Sequence, residues 1–367
     1  MRSWAATLLA GVSVALLGAT APGAHYREAD FDKVAKFDAH VHANVNDPAF
    51  LAVMRRDGFR VLSINVDYPD FPALADQATI AVAMHGADPH LQFATTFSME
   101  GFGTPGWTEK SIRTIDAAVA KGAVAVKVWK NIGMVAKDAD GKRVFLDDPR
   151  FDGVMAHLEQ RGIPLIAHQG EPRNCWLPLD QMTTENDRTY FRAHPEYYMY
   201  LHPEEPSYEA LMAARDRFVA RHPKLAFDGA HMASLEWSVD ELAKFLDSHP
   251  NAVVDLAARM TNVQAQSVKD RERVRRFFIR YQDRLLYGTD LTDSPPDPAA
   301  RAQNPPATND FPGEADRVWR ADWRYLATPL SQHVEAINAD AAGLDLPRGV
   351  IDKIYSKNAQ RFFKRMR

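Results

Sequence analysis

Eight short apolar segments recur along the chain after residue 24, and longer amphipathic segments separate them. The apolar segments are nearly continuous, which is typical of strands in a parallel sheet with both faces covered. Strands that alternate with helices in this way predict an α/β fold, a (β/α)8 TIM barrel. A doubly wound open sheet is the alternative, but no glycine-rich turn follows the first segment. The predicted strands are 36–41, 60–66, 92–97, 123–129, 164–168, 225–230, 252–256 and 285–288.

Helical patterns lie between these strands, and two long segments interrupt the repeat. One follows the fifth strand at 172–206, and the other follows the eighth at 291–312 and is rich in Pro, Asp and Ala. Loops of this length in a compact domain usually serve a site or are disordered. We therefore predict one barrel domain over 25–367 with long loops after strands 5 and 8. The predicted helices are 111–121, 151–161, 208–221, 238–247 and 267–281.

The N-terminal segment differs from the rest of the chain. Arg2 precedes an apolar run at 4–17, and residues 19–21 (ATA) have the small-x-small pattern of a signal-peptidase site. The run is too short to span a bilayer comfortably. We predict a signal peptide over 1–24 and a secreted or periplasmic protein. Pro22 directly follows Ala21 and hinders cleavage there, so an uncleaved N-terminal anchor is the alternative.

Charge and cysteine content restrict the partners and the kinds of site. The formal net charge is −4, so no basic excess marks the chain for nucleic acid or an anionic membrane. Cys175 is the only cysteine, which excludes an intramolecular disulfide and a cysteine zinc site. Any metal must therefore be held by histidine and carboxylate. The predicted partner is a small molecule, and association into a homo-oligomer is compatible with this composition.

Metal-capable side chains stand where four predicted strands end. His40 and His42 close the first strand and point the same way, because side chains alternate along a strand. An HxH pair alone is a weak motif, but His168, His231 and Asp290 end the fifth, sixth and eighth strands. The C-terminal ends of barrel strands share one mouth. The pattern predicts a divalent metal site, with zinc the usual ion and manganese or iron as alternatives.

Lys127 lies within the apolar fourth strand, where an unpaired ammonium is costly to bury. One interpretation is a buried ion pair with a neighbouring carboxylate. The other is a carbamylated lysine, an anionic ligand that bridges two metals. Lys130 has the opposite strand parity and is interpreted as a solvated or substrate-facing charge.

The combination of HxH, two later histidines and a final aspartate resembles the amidohydrolase superfamily. Residues 286–290 (LYGTD) look like its eighth-strand motif, and 354–363 (IYSKNAQRFF) resemble the closing helix of its amidohydrolase-related branch. The resemblance runs from about Phe37 to the end. It implies one metal held by the HxH pair, the fifth-strand histidine and the aspartate, with the sixth-strand histidine in catalysis. Lys127 departs from that branch and is similar to the carbamylated lysine of binuclear members such as dihydropyrimidinases. The resemblance therefore leaves open whether one or two metals bind.

Further residues near the mouth are candidates for substrate binding. Glu171 and Arg173 follow the fifth strand and form either a substrate clamp or a loop salt bridge. Arg259 follows the seventh strand and could hold a substrate carboxylate bidentately. Asp255 is expected to orient a metal-bound histidine. Aromatic residues after the fifth strand form either a lid over an apolar or ring-bearing substrate or a self-packed or dimer-contact loop: Trp176, Tyr190, Phe191, Tyr197, Tyr198 and Tyr200.

These residues together predict a hydrolase. Near a bound metal the pKa of water falls to about 7. Asp290 is the expected general base, and His231 would help to polarise a substrate carbonyl. The predicted reaction is hydrolysis of an amide, lactam, ester or lactone. Alternatives are metal-dependent decarboxylation or C–C cleavage, or a binding protein that has lost its chemistry.

Overall fold

The computed structural model describes residues 24–68, 71–293 and 310–364. The predicted signal segment and most of the loop predicted at 291–312 therefore lie outside the described residues. A strand is present at each of the eight predicted positions, within three residues at either end. They are β1 Lys36–Ala43, β2 Phe59–Ile64, β3 Leu91–Thr96, β4 Ala125–Val128, β5 Leu165–Ala167, β6 Phe227–Gly229, β7 Ala252–Asp255 and β8 Leu285–Leu286.

A ninth strand, β9 Leu291–Asp293, lies beside β1, and all pairings in this sheet are parallel. The order is β8-β7-β6-β5-β4-β3-β2-β1-β9. The Ala39 N–H donates to Tyr287 O (2.9 Å), and the Asp290 N–H donates to His40 O (2.7 Å). The segment from β8 to β9 thus contacts both β7 and β1. This curled parallel sheet is consistent with a TIM-barrel-like α/β fold.

Helices follow most strands, and the five predicted ones are present: Tyr208–Arg221 has the predicted bounds, and the other four have shifted ends. The helix predicted from residue 267 begins at Met260, because its first turns are also buried. The principal helices are Pro48–Arg56, Leu74–Ala87, Trp107–Ala120, Asp152–Arg161, Glu185–Ala193, Tyr208–Arg221, Val239–Ser248, Met260–Arg280 and Phe311–Ala327. Asn131–Met134 and Ala230–Ala233 are short turns that contain non-helical backbone angles. Two short helices, Arg348–Asp352 and Asn358–Phe362, are joined by a π-helical turn, Lys353–Lys357.

The prediction of one long loop over 291–312 was wrong at both ends. Leu291–Asp293 forms β9, and the helix Phe311–Ala327 begins where the loop was expected to continue. Pro312 is compatible with a helix start because it lies in the first turn, and the Asp310 side chain caps that turn. An antiparallel hairpin of β10 Ser331–Val334 and β11 Ala339–Ala342 follows and was not predicted.

Two hydrophobic clusters pack on the two faces of the curled sheet. A large cluster lies between the sheet and the helices, and a smaller one lies inside the curled sheet. Phe363 belongs to the inner cluster and packs near Phe37 at the start of β1. Asn358 Nδ2 donates to Gln282 O (2.7 Å) and Leu285 O (2.8 Å), which fixes the closing segment at the same end. The inner space is therefore filled at the N-terminal ends of the strands.

No helix among the described residues combines the length and apolar character that crossing a membrane requires.

Candidate metal centre

β1 presents two buried histidines whose Nδ1 atoms are both engaged. Nδ1 of His40 lies 2.7 Å from Asp255 Oδ2, and Nδ1 of His42 lies 2.7 Å from Ile64 O. Both partners are oxygen atoms that can only accept a hydrogen bond. Each Nδ1 therefore carries the hydrogen, and each Nε2 keeps its lone pair. The Nε2 atoms lie 3.4 Å and 3.2 Å from Asp290 Oδ1. The HxH pair and Asp290 therefore offer metal-ligand atoms within 4.8 Å of one another.

Asp290 is held towards the histidines by the backbone after β8. It adopts a left-handed conformation with φ 67°, and its N–H donates to His40 O. Burial alone would raise the pKa of Asp290, but the neighbouring His231, His42 and His40 outweigh it and hold that pKa well below its usual range. Asp38 fixes the adjoining turn, since it accepts from Thr289 N (3.0 Å) and Oγ1 (2.7 Å). The carboxylate of Asp290 is thus ionised at neutral pH.

His231 and His168 complete a row of imidazoles with His40. The ring centroids of His168 and His231 are 4.1 Å apart, and those of His231 and His40 are 4.7 Å apart. Nδ1 of His231 lies 3.0 Å from Ala257 O, which again leaves Nε2 with a lone pair. Nε2 of His168 is buried, and it has no hydrogen-bond partner among the described residues. His168 nevertheless lies outside the compact groups of potential ligands.

The imidazoles of His40, His168 and His231 share an environment that favours the neutral form. Burial lowers the pKa of each, and for His168 and His231 the pKa is well below the ordinary value. Neutral imidazole is the form that binds a metal. The cluster is therefore in the protonation state that a metal site requires.

The carboxylate of Asp255 contacts both His40 and His231. Its Oδ2 faces His40, and its Oδ1 accepts from the His231 N–H (2.7 Å) and the Ala257 N–H (3.1 Å). One carboxylate therefore fixes the tautomer of one imidazole and the backbone position of the other. This geometry matches the orienting role expected for Asp255.

A left-handed turn places His231, and sequence reasoning missed it. Residues 231–234 all have φ between 54° and 59°, although none is glycine. This conformation costs L-residues about 1–2 kcal/mol each, so the surroundings must impose it. Tyr208 OH donates to Ser234 O (2.5 Å), and Ser234 Oγ donates to Gln169 O (2.6 Å). Nothing local in the sequence marks this turn, because tertiary contacts hold it.

Lys127 is fully buried on β4, and its Nζ lies 3.3 Å from His40 Nε2. Burial lowers the pKa of this ammonium to about 8, against the opposing effect of Asp255, Asp290 and Asp228. Both oxygens of Asp228 are buried without a hydrogen-bond partner in the described part of the chain. The hydrogen-bond partner of Lys127 is therefore a histidine and not a carboxylate, although carboxylates surround it.

A cavity of about 530 Å³ adjoins the histidine cluster. Phe71 lines it and lies 5.1 Å from the His42 ring, and Trp129 lines it and lies 6.2 Å from the His168 ring. Tyr190 and Tyr197, two of the predicted lid aromatics, also line it. The sequence did not single out Phe71 or Trp129, although Trp129 follows a strand end directly. The other lining residues are Tyr68, Lys130, Met134, Val135, Glu171, Glu196, Met199, His202, Glu204 and Glu205.

The remaining lid aromatics are placed differently. Phe191 and Tyr198 pack with Cys175 and Met182 in a small cluster of their own. Trp176 lies against Tyr208 and donates through Nε1 to Pro206 O (3.2 Å), and Tyr200 is half exposed. The segment after β5 is therefore partly self-packed and partly a cavity wall.

The three predicted substrate-binding residues lie in different surroundings. Glu171 lines the cavity and pairs with Lys130. The Arg173 guanidinium lies 4.1 Å from the Trp237 ring centroid, and Arg173 is not among the residues that line the cavity. The charge of Arg259 lowers the pKa values of His168 and His231, which follow β5 and β6. Its Nε is buried with no hydrogen-bond partner in the described segments. The structure thus brings Glu171 and Arg259 to the site and stacks Arg173 elsewhere.

Comparison with known proteins places the chain in a family. A family model described as "Amidohydrolase" matches residues 3–365. No curated protein matches the sequence significantly. Similar solved structures include 4-oxalomesaconate hydratase from Rhodopseudomonas palustris, at 12% identity and TM-score 0.48, with 90% of this chain and 96% of that one covered. An amidohydrolase from Pseudomonas aeruginosa is similar at 10% identity and TM-score 0.46, with 93% and 99% covered. Because the family model spans nearly the whole chain, this protein belongs to the amidohydrolase family.

Proposed function

We propose that this chain is a metal-dependent hydrolase on a (β/α)8 barrel that cleaves an amide, lactam, ester or lactone bond of a small molecule. One observation carries the proposal. Three imidazoles have Nδ1 tied to an acceptor, so each keeps an Nε2 lone pair, and the Asp290 carboxylate lies within 3.4 Å of two of these atoms. The cavity beside them has room for a small molecule.

The side chains fit a divalent metal by their chemistry. Neutral imidazole and carboxylate are donors that zinc prefers. The buried Nε2 of His168, which has no hydrogen-bond partner among the described residues, is a further candidate donor. We propose His40, His42, His168 and Asp290 as ligands, with His231 and Lys127 as additional ligands if two ions bind. A bound divalent ion would supply Lewis acidity and a water with a pKa of about 7.

The protein groups would then have distinct tasks. Asp290 Oδ1 accepts the proton of the attacking water and returns it to the leaving group. His231 carries its hydrogen on Nδ1, so its Nε2 lone pair is available as a second proton acceptor or as an additional ligand. Asp255 keeps His40 in one tautomer and His231 in its left-handed turn, so neither has to reorganise. The aromatic walls exclude water from the reacting bond.

The test combines metal removal with one substitution. Chelation should abolish hydrolysis of a panel of amides, lactams, esters and lactones, and added zinc should restore it. Asp290→Asn should lower kcat/KM at least about 1,000-fold, since base and ligand are lost together. Asp283→Asn is the matched control, because this carboxylate is half exposed. A fully active, fully metallated Asp290→Asn protein would refute the assignment.

Metal analysis decides the role of Lys127. About two metals per chain that fall in Lys127→Ala would indicate a carbamylated lysine in a binuclear site. About one metal in both proteins would make Lys127 a positioning residue near His40. The content should be measured on protein purified without chelator.

A second candidate is non-oxidative decarboxylation or C–C cleavage. Arg259 favours it, since its buried Nε has no hydrogen-bond partner in the part of the chain that the structure describes, and its charge acts on His168 and His231. A guanidinium near a metal suits a substrate carboxylate. Release of CO2 from aromatic carboxylic acids, lost in Arg259→Met, would favour this reaction over hydrolysis.

We also propose that the protein is secreted or periplasmic after removal of residues 1–24. The supporting observation is the apolar run at 4–17 followed by the ATA sequence. The intact mass of protein collected outside the cytoplasm tests this. A chain that begins at residue 22 or 25 supports it, and a full-length membrane-bound chain contradicts it.

A further inference from the structure

The residues that line the 530 Å³ cavity indicate which kind of substrate the site would accept. This substrate is that of the same site, so its identification rests on the proposed function. Two sources supply aromatic faces: the barrel loops give Phe71, Trp129 and Tyr68, and the segment after β5 gives Tyr190 and Tyr197. The rings of Tyr68 and Trp129 are in contact, with centroids 4.0 Å apart. Such walls suit a substrate that bears a ring.

The charges that line the cavity are unbalanced. Lys130 is the sole lysine or arginine among its described lining residues, and Glu171 pairs with it. Arg143 pairs with Glu205 from outside the lining. Glu196 and Glu204 instead lie 3.4 Å and 3.5 Å from the histidines at 194 and 202. The one cation of the wall is therefore compensated, whereas two carboxylates have no lysine or arginine within ion-pair distance in the described chain.

The carboxylates and the tyrosines belong to one ordered segment. Cys175 Sγ donates to Tyr197 O (3.2 Å), and Tyr198 OH donates to Leu177 O (2.6 Å). Phe191, next to Tyr190, is buried in the small cluster of this segment. These contacts fix the backbone that presents Tyr190, Glu196 and Tyr197, and the two tyrosines remain 44% and 38% exposed. Exposed aromatic faces beside uncompensated carboxylates form a preorganised surface for a cation.

We propose that this cavity selects ring-bearing substrates that carry a positive charge, such as an aromatic amine or quaternary ammonium compound. The ring packs against Phe71 and Trp129 near the metal centre. The cationic group lies among Tyr190, Tyr197 and the carboxylates of Glu196 and Glu204. Attraction of a cation to aromatic faces and to carboxylates adds in the same direction. Anionic ring compounds are disfavoured by the same two carboxylates.

Binding of two matched probes to the full, metal-loaded chain tests the proposal. Phenyltrimethylammonium and benzenesulfonate share a ring and differ in the sign of their charge, and calorimetry at low salt and pH 8 compares them. The cation should bind at least about tenfold more tightly. This preference should fall severalfold in Glu196→Gln/Glu204→Gln and in Tyr197→Ala. The control Glu272→Gln changes an exposed carboxylate of another helix and should keep the full preference.

Equal binding of both probes, or tighter binding of the sulfonate, would overturn the proposal. A preference that survives in Glu196→Gln/Glu204→Gln would overturn it as well. The measurement does not depend on turnover, so it separates this inference from the proposed function. Cation selectivity without hydrolysis of any ester or amide would contradict the function alone, and hydrolysis without cation selectivity would contradict the inference alone.

Discussion

Two buried lysines at opposite ends of the barrel-like sheet show how different two similar side chains can be. Lys36 begins β1 and Lys127 lies on β4, and each is at most 1% exposed. Burial lowers the pKa of each to about 8. The Lys36 ammonium donates to Phe31 O (2.5 Å) and Val34 O (2.7 Å), and it lies 4.3 Å from the Phe31 ring centroid. The Lys127 ammonium instead faces His40 Nε2.

The difference shows that burial of a charge does not by itself mark a functional site. Backbone carbonyls and an aromatic face satisfy Lys36, so a structural role accounts for it. Around Lys127 the polar groups are incompletely paired: Asp228 has no hydrogen-bond partner among the described residues, and neither does His168 Nε2. Buried polar groups without partners are rare in folded proteins and call for a missing ligand or a function. The two lysines therefore differ in their hydrogen-bond partners and not in their burial, and this difference distinguishes the structural end of the sheet from the end with the candidate site.

The largest expected effect contrasts the two lysines directly. Lys127→Met should lower kcat/KM at least about 100-fold, because it removes the polar group beside a proposed metal ligand. Lys36→Met should leave kcat/KM within about twofold, because its partners are carbonyls far from the metal centre. Steady-state kinetics of both variants on one substrate measures the contrast. Equal losses in the two variants would end the distinction between the two lysines.

The sequence predicted the strands better than the connections, for a physical reason. Strands buried on both faces must be nearly continuous apolar runs, so the eight principal strands were visible. β9 was not visible, because Leu291–Asp293 is short and largely polar and its extended conformation depends on pairing with β1. The family resemblance drawn from the histidines and Asp290 is confirmed by the family model.

The site was predictable only as far as strand geometry reaches. Strand ends share one mouth, so the convergence of His40, His42, His231 and Asp290 follows from their positions. The path of a loop depends on tertiary contacts instead, and no local pattern indicated that Arg173 would stack on Trp237. The left-handed turn at 231–234 and the cavity walls were hidden for the same reason.

A smaller effect is expected from the carboxylate that supports the mouth. Asp255→Asn should weaken metal binding about 10- to 100-fold, because an amide holds the His40 tautomer less firmly than a carboxylate. Asp322→Asn is the matched control: Asp322 is also buried, but it accepts from Tyr287 OH (2.9 Å). Competition with a chelator of known affinity measures both. Similar losses in the two variants would show a general effect of buried carboxylates.

The smallest effect concerns the other end of the sheet and its dependence on pH. Lys36 has a pKa of about 8 in the folded chain and an ordinary value of 10.5. Below pH 8 both states are protonated, so the cost of burying the charge is constant. Between pH 8 and 10.5 the unfolded chain keeps a proton that the folded chain has released, so stability rises with pH.

The free energy of unfolding of the wild type, minus that of Lys36→Met, should rise by on the order of 2 kcal/mol between pH 7 and 10. Lys127 is present in both proteins and cancels. Urea titrations at the two pH values measure the difference, and a flat result would mean that the carbonyls and the Phe31 ring fully offset the cost of burying this ammonium.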